Sequence, residues 1–523
     1  MRHDSPGVEL IIVESPFRSL NGPLLAYIDA LRDTYPADTM TVVLRIVGAV
    51  PMTEVLPSTI SEAAEWLRTG RLSSVRLTQA LLERAHATQD TLATFITITD
   101  ESALAAAQRA DDELARGLDR GPLQGIPLGI KDIIATADAP TTANSRVLDP
   151  AWGDRDDATV VRKLREAGAV LLGKLGLHEF AIGWPDPQTG FRIPKNPWDM
   201  SRTPGGSSSG TGAAIAGGLV LGGLGTDTGG SIRGPAANCG ISGLKPTFGR
   251  VSKEGCVALG YSLDNIGPMA RTARDCALML QVLAGFDPLD PCSASAPVPD
   301  LLGSLDAGLA GVRIGIPREY FFDAPELNGE IKQTVLAAVE ALSGAGAQVV
   351  EVSLPYAAMA RDAQRAIMFG EAYAYHEQDL RDRPELYGQY TRGQLLQGVL
   401  YTAADYVQAQ RVRSVIKQAT AHAMADLDVL ITPTTLTLPA AFEGYDPDAM
   451  MKLPTYMAMW NLTGWPALSV CCGFSDAALP LPIGLQIIGK AFDEPMVLRV
   501  GHAYQQVTDW HTRRPEIGLE VAA

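Results

Sequence analysis

Between Pro204 and Thr247 the chain sets two glycine–serine blocks on either side of an apolar run, and this arrangement restricts the fold more than any other feature. The first block reads Gly205-Gly206-Ser207-Ser208-Ser209-Gly210-Thr211-Gly212, the second Gly225-Thr226-Asp227-Thr228-Gly229-Gly230-Ser231-Ile232-Arg233-Gly234. A flexible linker would be polar throughout, whereas Ala213 to Leu224 is apolar. That run is also too short for a bilayer, which takes roughly 20 apolar residues. The phosphate-loop pattern GxxxxGK[ST] is absent, as is GxGxxG after a strand. The GxSxG elbow fails because Arg233 stands two residues after Ser231. A buried seam of small residues remains as the purely structural reading.

The residues permit more than packing. Thr228-Gly229-Gly230-Ser231 ends a turn on a hydroxyl, and the backbone N–H groups of such a turn can converge on one point. That suits the oxyanion formed when a serine attacks a carbonyl. Glycines let the backbone approach a substrate closely. A serine needs a base, yet none of the seven histidines adjoins these blocks in sequence. The other candidate is Lys131, alone in the apolar stretch Gly125 to Ile134. A lysine there is ordinarily an edge or snorkelling residue. Buried, it would give up its proton readily and could act as a general base.

The rest of the chain supplies the frame. Short β-like runs at Leu128–Ile134, Ala169–Leu172, Val312–Ile316, Gln348–Val352, Val429–Ile431 and Ile483–Ile488 alternate with helical stretches, which predicts an α/β architecture with a mixed sheet covered on both faces. Thr59-Ile60-Ser61-Glu62 reads as a capping box, and helices are expected over Ser74–Gln89 and Ser102–Arg116. Residues 1–51 read as a small β-α-β appendage, set off by Pro51 and Pro57. At 523 residues several domains are expected from length alone, although one very wide sheet can hold such a chain. A formal charge of −16 disfavours phosphate-backbone binding, so no nucleic acid is expected as a partner. Six scattered cysteines with no CxxC pair, and no signal or membrane segment, read as reduced thiols in a cytoplasmic protein.

Lys131, Ser207 and Ser231, with the blocks between them, closely resemble the amidase signature family. The resemblance runs from about Met52 to the C-terminus and extends to Leu244–Arg250, Asp264–Met269, Ile431–Thr434 and Pro482–Lys490. It implies an α/β/α sandwich around a large central mixed sheet, formed by residues 52–523. It also implies a Ser–cisSer–Lys triad, with Ser231 as nucleophile, Ser207 as relay on a cis Gly206–Ser207 peptide, and Lys131 as base. Thr228, Gly229, Gly230 and Ser231 would donate N–H groups to the oxyanion. The implied reaction is hydrolysis of a carboxamide-type C–N bond through an acyl-enzyme, with no cofactor and no metal. Asp227 and Arg233 read as a structural pair orienting the turn, and Ser208 as the cap of the next helix. Ser209 stands where many members have glycine.

The substrate is less determined. Residues 188–197, 356–406 and 442–465 are expected to build the pocket, and they hold Met368, Phe369, Tyr373, Tyr375, Met457, Trp460 and Trp465. This suggests a small-molecule amide or carbamate with an apolar or aromatic part, with ordinary core packing as the alternative. A free-standing amidase is preferred here, with homodimerisation allowed and no membrane. The alternatives are the glutamine-hydrolysing subunit of a tRNA-dependent amidotransferase, or a carbamate, allophanate or aryl-acylamide hydrolase. A catalytically silent binding protein on the same scaffold is the reading from another class.

Overall fold

A computed structural model describes residues 55–153 and 156–517, and the appendage expected over residues 1–51 lies outside them. Eleven strands form one sheet: β1 (Phe95–Ile98), β2 (Pro127–Lys131), β3 (Val170–Leu175), β4 (Gly222–Asp227), β5 (Ser242–Lys245), β6 (Asn265–Ala270), β7 (Arg313–Pro317), β8 (Gln348–Val352), β9 (Val429–Pro433), β10 (Ala467–Phe474) and β11 (Pro482–Gly489). Their order is β1-β3-β2-β4-β6-β5-β10-β11-β9-β7-β8. The β3-β2-β4 and β9-β7-β8 groups are parallel, and the remaining pairs are antiparallel.

Burial along the strands shows how the sheet is covered. Every residue of β2, β3, β4, β5, β6, β9 and β11 is buried, so side chains on both faces are shielded. An α/β sandwich, with helices over both faces, gives that pattern, whereas a half-exposed sheet would alternate. The edge strands β1 and β8 are only partly buried. From Pro57 onward the chain forms one compact unit, so the wide sheet takes the place of several domains.

Local signals set most element boundaries. Helix Ile60–Arg68 begins at Thr59, whose side chain accepts from Glu62 N–H. The reciprocal bond of the expected box goes one residue back, from Ser58 N to Glu62 Oε2 at 2.8 Å. The second and third expected helices run over Ser74–Leu92 and Asp100–Ala115. Strand β2 stops at Lys131, short of the predicted Ile134. The amides of Ile133 and Ile134 turn back to the Lys131 carbonyl at 2.8 and 3.1 Å.

Candidate active site

Neighbouring parallel strands bring the first pieces together. Gly129 and Ile130 of β2 pair with Gly223 and Leu224 of β4, so Lys131 and Thr226 lie at the carboxyl ends of adjacent strands. In open α/β sheets that is where ligands bind. Lys131 is fully buried in the sheet interior, neither on an edge nor snorkelling. Its Nζ donates to Ser207 Oγ at 2.8 Å and to Thr226 Oγ1 at 2.7 Å. Burial lowers its pKa to about 7, partly opposed by its neighbours Cys256, Asp227 and Asp264. The lysine is thereby poised to hold or release a proton near neutral pH.

Ser207 sits just before the Ser209–Ala216 helix, and its peptide bond with Gly206 is cis. Ser208 lies at the helix start but does not cap it. Its hydroxyl instead bridges to β4, donating to Thr226 O at 3.3 Å and accepting from Thr226 N at 3.2 Å. The strand end therefore takes the hydroxyl expected at the helix N-terminus, and ties Ser207 to β4. Ser208 N also donates to Ser231 O at 3.3 Å, which sets the two serine-bearing segments side by side. Ser231 is half-buried and its hydroxyl makes no hydrogen bond among the described residues. From Lys131 through Ser207 to Ser231, access to solvent increases.

The turn carrying Ser231 is held from below by Asp227. Arg233 grips this carboxylate with Nε to Oδ2 at 2.9 Å and Nη2 to Oδ1 at 2.8 Å, both side chains fully buried. Asp227 also accepts from Gly230 N at 2.8 Å and Ile232 N at 3.2 Å. Asn461 and Gln486 complete the network at 2.7 Å each from the guanidinium. Burial alone would raise the Asp227 carboxyl, but Arg233, Lys245 and Asn461 outweigh it and hold the group well below the usual carboxylate range. One consequence bears on the four expected oxyanion donors. Gly230 N–H is taken by Asp227, whereas the N–H groups of Thr228, Gly229 and Ser231 have no acceptor among the described residues. Gly230 is glycine for another reason: its φ is 132°, and a Cβ would lie 2.7 Å from Met457 Sδ.

Side chains distant in sequence line the turn. Gln364 lies over Gly229, and Met457 over Gly230 and Gly234. The ring of His178 lies against Gly206, where a Cβ would come within 1.9 Å of Cε1. His178 Nδ1 donates to Gly183 O at 2.9 Å, leaving Nε2 without a partner among the described residues, and its backbone N–H donates to Ser207 O at 3.1 Å. Burial keeps the imidazole neutral, with a pKa lowered to about 4. Trp184 packs near this ring at 6.2 Å between centroids and stacks on Tyr445 with ring planes 7° apart. Of the aromatic residues expected in the pocket, Trp460 and Phe369 belong to the core. Tyr375 is exposed against His376.

His178 and Trp184 are not legible as site residues, because no motif links them to the serine blocks, and Gln364 lies in the expected pocket segment 356–406 without a signal of its own. Thr226 lay within the second block but carried no separate signal. A cavity of about 190 Å³ opens beside the turn, touching Thr226 and Thr228 and lined further by Cys256, Tyr261 and Asp264. Among the described residues no group of three or more His, Cys, Asp or Glu side chains is arranged to hold a metal, and no helix is long and apolar enough to cross a membrane.

The chain has clear relatives. The family model described as Amidase matches residues 76–498. A component of the glutamyl-tRNA(Gln) amidotransferase of Chloroflexus aggregans is 46% identical over 491 residues, covering 89% of this chain and 99% of that protein. Among solved structures, a chain of a vestigial complex linked to the origins of an s-triazine catabolic enzyme superposes with a TM-score of 0.80. It is 33% identical, covering 88% of this chain and all of the other. The peptide amidase of Stenotrophomonas maltophilia superposes with a TM-score of 0.77 at 33% identity, covering 89% of this chain and 99% of that one.

Proposed function

Because the chain belongs to the amidase family, and so to amide-cleaving enzymes, we propose that it hydrolyses a carboxamide through Ser231, Ser207 and Lys131. The observation that carries this reading is the buried Lys131 amine, with a pKa near 7 and hydrogen-bonded to Ser207. Neutral Lys131 accepts a proton from Ser207 as Ser207 accepts one from Ser231. Ser231 Oγ then bonds to the amide carbon, and the N–H groups of Thr228, Gly229 and Ser231 receive the developing oxyanion. Collapse of that intermediate breaks the C–N bond, and the Lys131 proton passes through Ser207 to the departing nitrogen. Water, deprotonated along the same path, cleaves the acyl-enzyme and restores Ser231. The relay requires Ser231 to donate to Ser207, a bond the free protein does not make; catalytic contacts of this kind commonly tighten with substrate bound.

For the identity of the amide, the curated relatives favour the glutamine-hydrolysing component of an amidotransferase over the free-standing amidase preferred from sequence alone. The likeness to a peptide amidase along nearly its whole length supports the free-standing reading. Both release ammonia from a primary carboxamide, which is the substrate class we assign. The test is labelling by a fluorophosphonate together with ammonia release from glutamine and from a peptide amide. Absence of labelling, or equal labelling of Ser231→Ala, would overturn the nucleophile. Glutamine hydrolysis that rises on adding the amidotransferase partner proteins selects the first reading, and turnover of the peptide amide by the chain alone selects the second.

A further inference from the structure

The oxyanion turn is gripped from outside by the Ala360–Asp382 helix. Gln364, 5% exposed, donates from Nε2 to Thr228 O at 3.4 Å and to Met368 Sδ at 3.2 Å. Both partners are acceptors, so the orientation of its amide is fixed: reversed, Oε1 would face a carbonyl and a thioether. The contact is close because Gly229 has no side chain, and a Cβ there would meet Nε2 at 2.9 Å.

A peptide unit is planar, with its C=O and N–H on opposite sides. A donor that holds the Thr228 carbonyl therefore also dictates where the Gly229 N–H points, which is away from Gln364. That N–H has no acceptor among the described residues. A rotation of this one peptide would replace the donor with a carbonyl oxygen and spoil the oxyanion pocket. Thr228 is held a second time from the same helix. Its hydroxyl donates to Asp264, whose loop is fastened to Glu371 by Ser262 N and Oγ at 2.9 and 2.7 Å.

We infer that Gln364 is a positioning residue that sets the Thr228–Gly229 peptide, so that Gly229 N–H faces the carbonyl oxygen under attack. The inference rests on the reading of Ser231 as nucleophile. Gln364 touches neither Ser207 nor Lys131, so it acts on the oxyanion and not on the proton path.

The experiment measures the rate of labelling by a fluorophosphonate, resolved into a binding constant and a maximal rate, for the wild type, Gln364→Met and Gln364→Glu. Methionine keeps the length without the donor, and glutamate keeps the shape with an acceptor. Both variants should lose about 10- to 100-fold in maximal rate, approaching the effect of deleting one oxyanion donor. Their binding constants should stay within about threefold, and the pH midpoint of the labelling rate should not move. An unchanged maximal rate in either folded variant overturns the inference, as does weakened binding at an unchanged rate. A shifted pH midpoint overturns it too, because it would place Gln364 on the proton path. If the wild type is not labelled, or Ser231→Ala is labelled equally, the nucleophile reading itself falls. A labelled wild type with unaffected Gln364 variants sinks this inference alone.

Discussion

Arg233 and Asp227 form a two-pronged ion pair with both side chains withdrawn completely from solvent, and the turn that carries Ser231 is built on that pair. Between them they satisfy the ends of the turn, Gly230 N and Ile232 N through Asp227, and the carbonyl of Met457 through Arg233. Removing one partner leaves the other charged and buried. Asp227→Asn should therefore lose about 3–5 kcal/mol of stability, the usual cost of orphaning a buried charge. Urea unfolding checks this, and a loss under about 1 kcal/mol would mean the pair is better hydrated than the structure implies.

The pH dependence should follow Lys131. Its folded pKa is lowered to about 7, so the neutral, proton-accepting form is lost as pH falls through that value. The acylation rate should fall about tenfold per pH unit below roughly 6 and level off above roughly 8. Lys131→Arg should be inactive at every pH, because a guanidinium does not deprotonate in this range. A flat profile between about pH 5 and 8 would remove Lys131 from the proton path.

Thr226→Val deletes one of the two acceptors that stabilise the Lys131 ammonium. Loss of a hydrogen bond to the charged form lowers the pKa further. The acid limb of the rate profile should thus move to lower pH, by about one unit for ~1.4 kcal/mol of lost interaction. A displacement toward higher pH would contradict the assignment of Thr226 as an acceptor from Lys131.

Gly206 and His178 should behave as a coupled pair. Gly206→Ala drives a methyl group into the imidazole and should cost at least about 1–3 kcal/mol, as overpacking does. Adding His178→Ala removes the obstacle, so the double variant should be more stable than Gly206→Ala alone. Thermal melts of the three variants give the coupling, and additive losses would show that the clash lies elsewhere.

Much of the fold could be read from the chain because it is encoded locally. Strand β8 falls on the predicted Gln348–Val352, and β9 and β11 overlap their predicted runs, since apolar and β-branched residues mark them. Strand β4, Gly222–Asp227, gave no such signal: half of it is glycine. Glycine is required there by close contacts, since a Cβ at Gly223 would lie 2.6 Å from Gly129 O. A steric demand of this kind exists only after the neighbouring strand is in place.

The candidate site divides in the same way. By itself the sequence determined which residues we propose for the chemistry, because Lys131, Ser207 and Ser231 stand in a pattern of blocks with a family resemblance. Tertiary structure decided what those residues can do. The burial that brings Lys131 to a pKa near 7, the loss of Gly230 N–H to Asp227, and the approach of His178 and Gln364 all arise from contacts made only in the folded chain. Local spacing places a functional group along the chain, whereas its proton affinity and free hydrogen bonds depend on what the completed sheet and its covering helices put around it.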